Sequence, residues 1–336
     1  MNDNYSNNQP NKPIRDVIMI GAGPSALAAA IYTTREDIDT VLYEKAIVGG
    51  MAAITDKVDN YPGFPDGIDG MTLAAQLQAQ AERFGASIEF GEVSGITDNG
   101  DTKTVIVDGE PIEAKAVLIA TGSDYNKIDV PGEAELYGRG VHYCATCDGA
   151  FYRDKKLVVV GGGNSAVQEA IFLTRFSSHI DLLVRSKIRA SEVLVHEMQQ
   201  YVESGKITIH LATTTQEIIA TDKKVTSVKV LKDGQSVDIE TDGVFIFVGL
   251  NPNTGFLQNS DIELDEQKLI KTNQYLETSM KGVFASGDVR SGATMQIASA
   301  VGEGASAALA IREYLDGLKR HAIEKNFPVG WWYDYR

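Results

Sequence analysis

The chain has 336 residues, 43% of them apolar and 23% charged, which is ordinary globular composition and enough length for two domains. Its formal net charge is −15 with no basic cluster, and this argues against nucleic acid or an anionic membrane surface as partner. No apolar run approaches the roughly 20 residues that span a bilayer. The opening MNDNYSNNQPNK is polar and lacks the apolar core of a secretory signal, so residues 1–13 read as a disordered tail. Two cysteines in so long a chain point to the reducing cytoplasm, where a permanent structural disulfide is disfavoured.

The first patterned element is the apolar run Val17–Ile20, followed by Gly21, Gly23, Pro24, Ser25 and Ala26 in GAGPSA and then an Ala-rich helical stretch. The plan recurs with Leu157–Val160, then Gly161, Gly163, Asn164, Ser165 and Ala166 in GGGNSA. Each reads as strand, tight glycine turn, helix. Small residues let the backbone approach a pyrophosphate, and the helix start offers free N–H groups. One such motif is a weak signal, whereas two, each directly after a strand, are much stronger.

The strand after each motif separates the two ligands. DTVLYEK ends at Glu44, 23 positions beyond Gly21, where a carboxylate suits a ribose diol and repels a 2′-phosphate. IDLLVRSKIRAS places Arg185 24 positions beyond Gly161, with Ser186, Lys187 and Arg189 following, a cationic setting that accepts a 2′-phosphate. A solvated loop is the plain alternative.

AKAVLIATGSDY (114–125, with Thr121 and Gly122) and TDGVFIFVGLNPNT (241–254) are apolar strands ending in glycine turns. KGVFASGDVRSGATMQIASAVGEG then reads as strand, turn and a long helix rich in small residues. The expectation is an α/β chain of two Rossmann-like domains, the second inserted into the first. Residues 1–124 and 251–336 form one nucleotide-binding domain, and 125–250 the inserted one. Lys-Asp233-Gly234-Gln reads as a hairpin turn between two strands.

Both cysteines lie in YCATCDGAF, as Cys144 and Cys147. C-x-x-C suits a dithiol–disulfide couple, since the bridge closes locally. A metal site using His142 as third ligand is the alternative, but no second C-x-x-C and no further His or acidic cluster accompanies it. Asp148 can protonate a departing thiolate, or can simply occupy an Asp-Gly turn.

GAGPSA, VDNYPGFPDGIDG, ATGS, YCATCDGAFY, GGGNSA, FVGLNPNT and FASGDV stand in one order along the chain, and with them it resembles the low-molecular-weight thioredoxin reductases over nearly its whole length. The resemblance implies an FAD-dependent homodimer that reduces a thioredoxin disulfide with NADPH. It implies Cys147 beside the flavin, Cys144 as the exchanging thiol and Asp148 as the acid. It also implies FAD contacts from the GAGPSA turn, Gly50, Met51, Asn60, Thr121, Gly122, Gly287, Asp288, Met295, Gln296 and Ile297, the last three at a helix start facing the flavin.

The chain departs from that family around the pyridine nucleotide. The usual His-Arg-Arg is Val184-Arg185-Ser186, the usual Arg-Gln at the flavin helix is Met295-Gln296, and the Gln of Gly-Gly-Gln is Met51 after Gly49-Gly50. These changes predict weak discrimination between NADPH and NADH or weak use of both. Ferredoxin or another carrier is then the alternative donor, and a flavin-binding redox sensor a third reading. Residues 320–336 form an aromatic tail holding Trp331, Trp332, Tyr333 and Tyr335. They read either as packing or as a lid stacked on the flavin.

Overall fold

The structure, a computed structural model, describes residues 13–326 apart from Asp56, with side chains as far as His321. The readings of residues 1–12 and of the four tail aromatics lie outside the described residues. The chain divides into two compact units: Met1–Lys57, Tyr61–Ser123 and Pro252–Arg336 make one, and Val58–Asn60 with Asp124–Asn251 the other. Asn60 therefore groups with the inserted unit.

The first unit opens with β1 (Arg15–Ile20), α1 (Pro24–Thr34) and β2 (Thr40–Glu44). A short α2 (Gly50–Ala53), α3 (Gly70–Arg83) and β3 (Ser87–Phe90) follow. Then come β4 (Val93–Asp98), β5 (Lys103–Val107) and β6 (Glu110–Ile119). β1 runs parallel to both β2 and β6, and β2 parallel to β3. β4, β5 and β6 pair antiparallel. The order β3-β2-β1-β6 reverses direction at β1, the switch point at which open α/β sheets bind ligands. β1 is apolar without alternation because both its faces are covered: Ile18 and Ile20 join Val117, Ile119 and Val41 in one core, while Val17 and Met19 on the opposite face are fully buried too.

The chain leaves along β7 (Ser123–Tyr125) and enters the inserted unit. There β8 (Val141–His142), α4 (Ala145–Asp148), β9 (Lys156–Val160), α5 (Asn164–Leu173) and β10 (His179–Leu183) come in sequence. α6 (Glu192–Glu203) and β11 (Ile207–His210) complete the pattern of alternation. Next are the meander β12 (Thr213–Thr221), β13 (Lys224–Lys232) and β14 (Gln235–Glu240), and then β15 (Gly243–Ile246). A parallel sheet runs β11-β10-β9-β15-β8. Strand periodicity splits β9 between two cores. Leu157 and Val159 pack with Val167, Leu173 and Met198 of the helices, while Val158 and Val160 meet Val228 and Val230 of the meander. The β13–β14 turn falls at Asp233 and Gly234, both at positive φ (51° and 78°), the pairing that a two-residue hairpin turn requires.

The chain returns along β16 (Leu250–Pro252), which pairs with β7, so the two crossings run side by side. β17 (Val283–Ala285) then adds to β6 in parallel, and α7 (Ile297–Asn326) closes the first unit against α1. α7 runs on through residues 320–326, into the stretch read as tail, because no helix breaker intervenes before Pro328.

Candidate active site

In the first unit, the loops at the C-terminal ends of β1, β2, β6 and β17 line one edge of the parallel sheet. Gly21 takes φ +97°, and a Cβ there would lie 2.6 Å from the carbonyl oxygen of Ala120. The turn at β1 must therefore be glycine to pass β6. Gly23 has nothing within 4 Å of its would-be Cβ, so that side of the turn is open, as close approach of a diphosphate needs. Pro24 opens α1 at its first turn. The Gly49-Gly50 turn closes over it: the Gly49 N–H bonds the Ala22 carbonyl at 2.8 Å, and Gly50 approaches Gly23. Met51 follows Gly50 in that short helix, half-buried.

Glu44 is buried and uses both oxygens locally, accepting from the N–H of Ala22 at 2.9 Å and of Ala46 at 2.8 Å. A carboxylate has about four lone-pair sites, so capacity for a diol remains. Ser25 is committed to Ser286 (Oγ to Oγ 2.7 Å), which ties the first glycine turn to the ASGD loop. Ser123 Oγ–H donates to the Asp288 carbonyl at 2.5 Å. Thr121 and Asn253 exchange two bonds: the Thr121 hydroxyl donates to the Asn253 carbonyl at 2.8 Å, and the Asn253 amide to the Thr121 carbonyl at 3.0 Å. Asn253 N–H adds a third, to Gly122, which sits at φ +66°. Glu303 of α7 clamps the last loop by accepting from Gly287 N–H at 2.9 Å and taking Arg290 side-on, through Nη2 at 2.6 Å and Nε at 3.1 Å. Burial, then the nearby Glu303 carboxylate, pushes the Asp288 carboxyl up to about 6.

Met295 stands just before α7 at φ +55°, a left-handed backbone uncommon for a side chain of its kind. Gln296 turns its amide to the Met295 carbonyl at 2.8 Å, and Ile297 starts the helix. Such local strain is characteristic of ligand-binding loops.

In the inserted unit, Gly161 takes φ +146°, and a Cβ there would collide with the Phe247 carbonyl at 2.3 Å. Gly163 is open on its Cβ side. Asn164 turns its side-chain carbonyl to the Ser191 N–H at 2.8 Å, and Ser165 is exposed at the start of α5. The basic loop is drawn to this turn: Arg189 N–H bonds the Gly162 carbonyl at 2.6 Å. Arg185, Lys187 and Arg189 are exposed there, and none has an ion-pair partner among the described residues.

The redox motif occupies the same unit. Cys144 and Cys147 are joined in a disulfide, with Cα atoms 5.3 Å apart. Cys144 caps the one-turn helix α4, its sulfur accepting from the Cys147 N–H at 3.2 Å. Asp148 ends that turn, and its Oδ2 lies 3.1 Å from Nδ1 of His142. The other nitrogen of His142, Nε2, is 2.7 Å from the hydroxyl of Tyr152, and no group of three His, Cys, Asp or Glu side chains placed to hold a metal occurs among the described residues.

The family described as pyridine nucleotide-disulphide oxidoreductase matches residues 15–304, nearly the whole described chain. The thioredoxin reductase of Bacillus subtilis is 41% identical over 309 residues, covering 91% of this chain and 96% of that protein. The one from Listeria innocua is 41% identical with coverage of 91% and 95%. The crystal structure of thioredoxin reductase from Streptococcus pyogenes superposes with a TM-score of 0.87 at 38% identity, over 91% of this chain and 100% of that one. The chain belongs to the pyridine nucleotide-disulphide oxidoreductase family, in its low-molecular-weight thioredoxin reductase branch.

Four functional-site residues of this oxidoreductase escaped the sequence reading. Glu303 and Arg290 lie 13 apart and look like ordinary surface charge. Asn253 lies 132 residues from Thr121. Tyr152 reads as the end of a turn. For Tyr152 a signal existed, since a tyrosine and a histidine lie near the C-x-x-C at short range, but the sequence does not say that the two side chains meet.

Proposed function

We propose that this oxidoreductase carries FAD in its first unit and NADPH in its inserted unit, and that it reduces a thioredoxin disulfide through Cys144 and Cys147. The observation that carries the reading is the disulfide on a one-turn helix with Asp148 on the same turn, within a unit whose second glycine turn holds three unpaired cations. The printed names of the relatives support thioredoxin as the substrate. Their likeness runs through both glycine units and lends no support to a ferredoxin donor or to a redox sensor. A homodimer belongs to the same reading, and light scattering at twice the 36.3 kDa chain mass would test it.

The residues fit this assignment. The open side of Gly23 and the start of α1 suit the diphosphate of FAD, Glu44 the ribose, and the Gly287-Asp288 loop the ribityl chain. A protonated Asp288 can donate to a hydroxyl, and a deprotonated one can accept from it. Gly50, Met51, Asn60, Thr121, Gly122, Met295, Gln296 and Ile297 complete the proposed flavin contacts. Bound FAD supplies a two-electron carrier between nicotinamide and disulfide. Gly161, Gly163, Asn164 and Ser165 would hold the pyrophosphate of NADPH, and Arg185 with Arg189 its 2′-phosphate. Cys147 is assigned to the flavin side and Cys144 to exchange with thioredoxin. Asp148 gives a proton to the departing sulfur and recovers it when the disulfide closes again.

Anaerobic mixing of the purified yellow protein with NADPH tests the reading. The flavin absorbance should bleach, and added oxidised thioredoxin should restore it. Protein without flavin absorbance and unable to take up FAD, or flavin that NADPH does not bleach, would overturn it.

A further inference from the structure

The imidazole of His142 is buried, between the redox turn and the sheet. It lies against Phe245 of β15 with ring centroids 5.1 Å apart and planes at 29°, and meets the edge of Tyr152 at 5.3 Å and 72°. Both of its nitrogens are spoken for by polar groups of the same unit, one by Tyr152 and one by Asp148. A buried histidine with two partners on opposite sides is a defined device, since whichever partner keeps its proton sets the tautomer. The partners decide it here. Burial, then the carboxylates of Asp148 and Asp242, hold the Tyr152 phenol above its ordinary range, so it keeps its proton. A carboxylate can only accept, so the ring nitrogen that faces it, Nδ1, carries the proton, and Nε2 of the neutral ring takes the phenol O–H.

We propose that His142 is the positioning residue for Asp148: its Nδ1–H fixes the carboxyl in place on the redox turn, while Tyr152 holds the ring in the tautomer that does so. This rests on the reading of Asp148 as the acid of the disulfide step. Opening the disulfide takes two electrons, drawn from reduced flavin in the proposed reaction, and two protons. Asp148 hands one proton to the departing sulfur and becomes a carboxylate. The Nδ1–H of His142 then stabilises that carboxylate, which makes the proton easier to give. Solvent supplies the second proton, and Asp148, whose side chain is 23% exposed, recovers its own when the disulfide closes again. The remaining titratable groups that pack about the network are few. Asp242 is engaged by the N–H of Lys156 at 2.9 Å and by Lys155 Nζ at 3.4 Å. Glu169 of α5, the helix against α4, has its carboxyl held up by burial.

The test uses the FAD-loaded enzyme and two readouts against pH: turnover with NADPH and thioredoxin, and the rate at which iodoacetamide alkylates the enzyme after reduction by dithiothreitol and its removal. A hydrogen bond to the charged form lowers a carboxyl pKa, so losing it raises that pKa. Replacing His142→Phe, which keeps the stacking, should move the basic limb of turnover and the carboxyl-linked inflection of alkylation to higher pH. Tyr152→Phe should shift both in the same direction by less, and it guards against a His142 variant that does not fold. In an Asp148→Asn background neither substitution should move either curve. A purely structural role would lower the rates without moving the limbs, and that result overturns the inference, as does an equal shift in both backgrounds. If Asp148→Asn moves both curves but His142→Phe and Tyr152→Phe do not, only the inference falls. If Asp148→Asn itself changes nothing, the acid role falls and takes the inference with it.

Discussion

Asp288 is a carboxyl whose surroundings disfavour its charge. Burial and Glu303 raise it from 3.8 to about 6, so its neutral form is favoured in the folded state. An acid raised on folding contributes stability that is present below pH 3.8 and is lost as pH rises through 6. The difference of roughly two units corresponds to about 3 kcal/mol. Flavin-free Asp288→Asn should therefore match its parent near pH 4 and exceed it by up to about 3 kcal/mol at pH 7.5, read from urea unfolding at both pH values. Equal stability at the two values would show that Asp288 is not held neutral. The cysteines and Asp148 give a second prediction at this scale. Cys144→Ser and Cys147→Ser should each abolish thioredoxin reduction while leaving FAD bound, and Asp148→Asn should slow turnover by roughly 10²–10⁴. Turnover assays with the flavin spectrum recorded alongside would check both.

Elements meet the site through a few close approaches. α7 packs on α1 so tightly that a Cβ at Gly304 would lie 2.0 Å from the backbone carbonyl of Ser25. Backbone cannot rotate away as a side chain can, so Gly304→Ala must push the helices apart. Overpacking of this kind costs roughly 1–3 kcal/mol. It would also disturb Ser25, whose hydroxyl joins the first glycine turn to Ser286. The expected outcome is lower stability in urea together with weaker FAD binding by fluorescence titration. In the inserted unit, the loop after β10 brings Arg185 and Arg189 to the Gly161–Gly163 turn. A hydrogen bond to a charged group contributes about 1.5–3 kcal/mol. Arg185→Ser should thus raise the Michaelis constant for NADPH by roughly 10–100-fold and leave that for NADH nearly unchanged. Similar losses with both nucleotides would mean that the loop does not read the 2′-phosphate.

On the scale of the whole molecule, two units with separate cores should respond separately to their ligands. A ligand stabilises only the unit that binds it, by about 2.7 kcal/mol at a hundred times its dissociation constant. Scanning calorimetry should show FAD raising one transition and NADP⁺ the other. A single transition moved equally by both would indicate that the units unfold as one. No helix among the described residues is long and apolar enough to cross a membrane.

Much of this architecture was legible in the sequence because its signals are local. Strand, glycine turn and helix at Gly21 and at Gly161 lie within about a dozen residues, although the close approaches that demand glycine there come from Ala120 and Phe247, far along the chain. Glu44 and Arg185 follow at a distance set by one helix and one strand. The C-x-x-C closes over three positions, so its pairing needs no tertiary information. What pattern could not supply is the set of bonds between segments distant in the chain. Glu44 could be placed but not its bonds to Ala22 and Ala46, and Asp288 could be placed but not the Glu303 that clamps its loop. His142 could be weighed only as a possible third metal ligand, and its enclosure by β15 and the turn at Tyr152, which makes it a partner of Asp148, appears only in the fold. Local backbone preference and hydrophobic period determine where a strand and a turn occur. Which carboxylate meets which N–H or imidazole depends on how the sheet and helices pack, and that is decided only when distant segments are buried together.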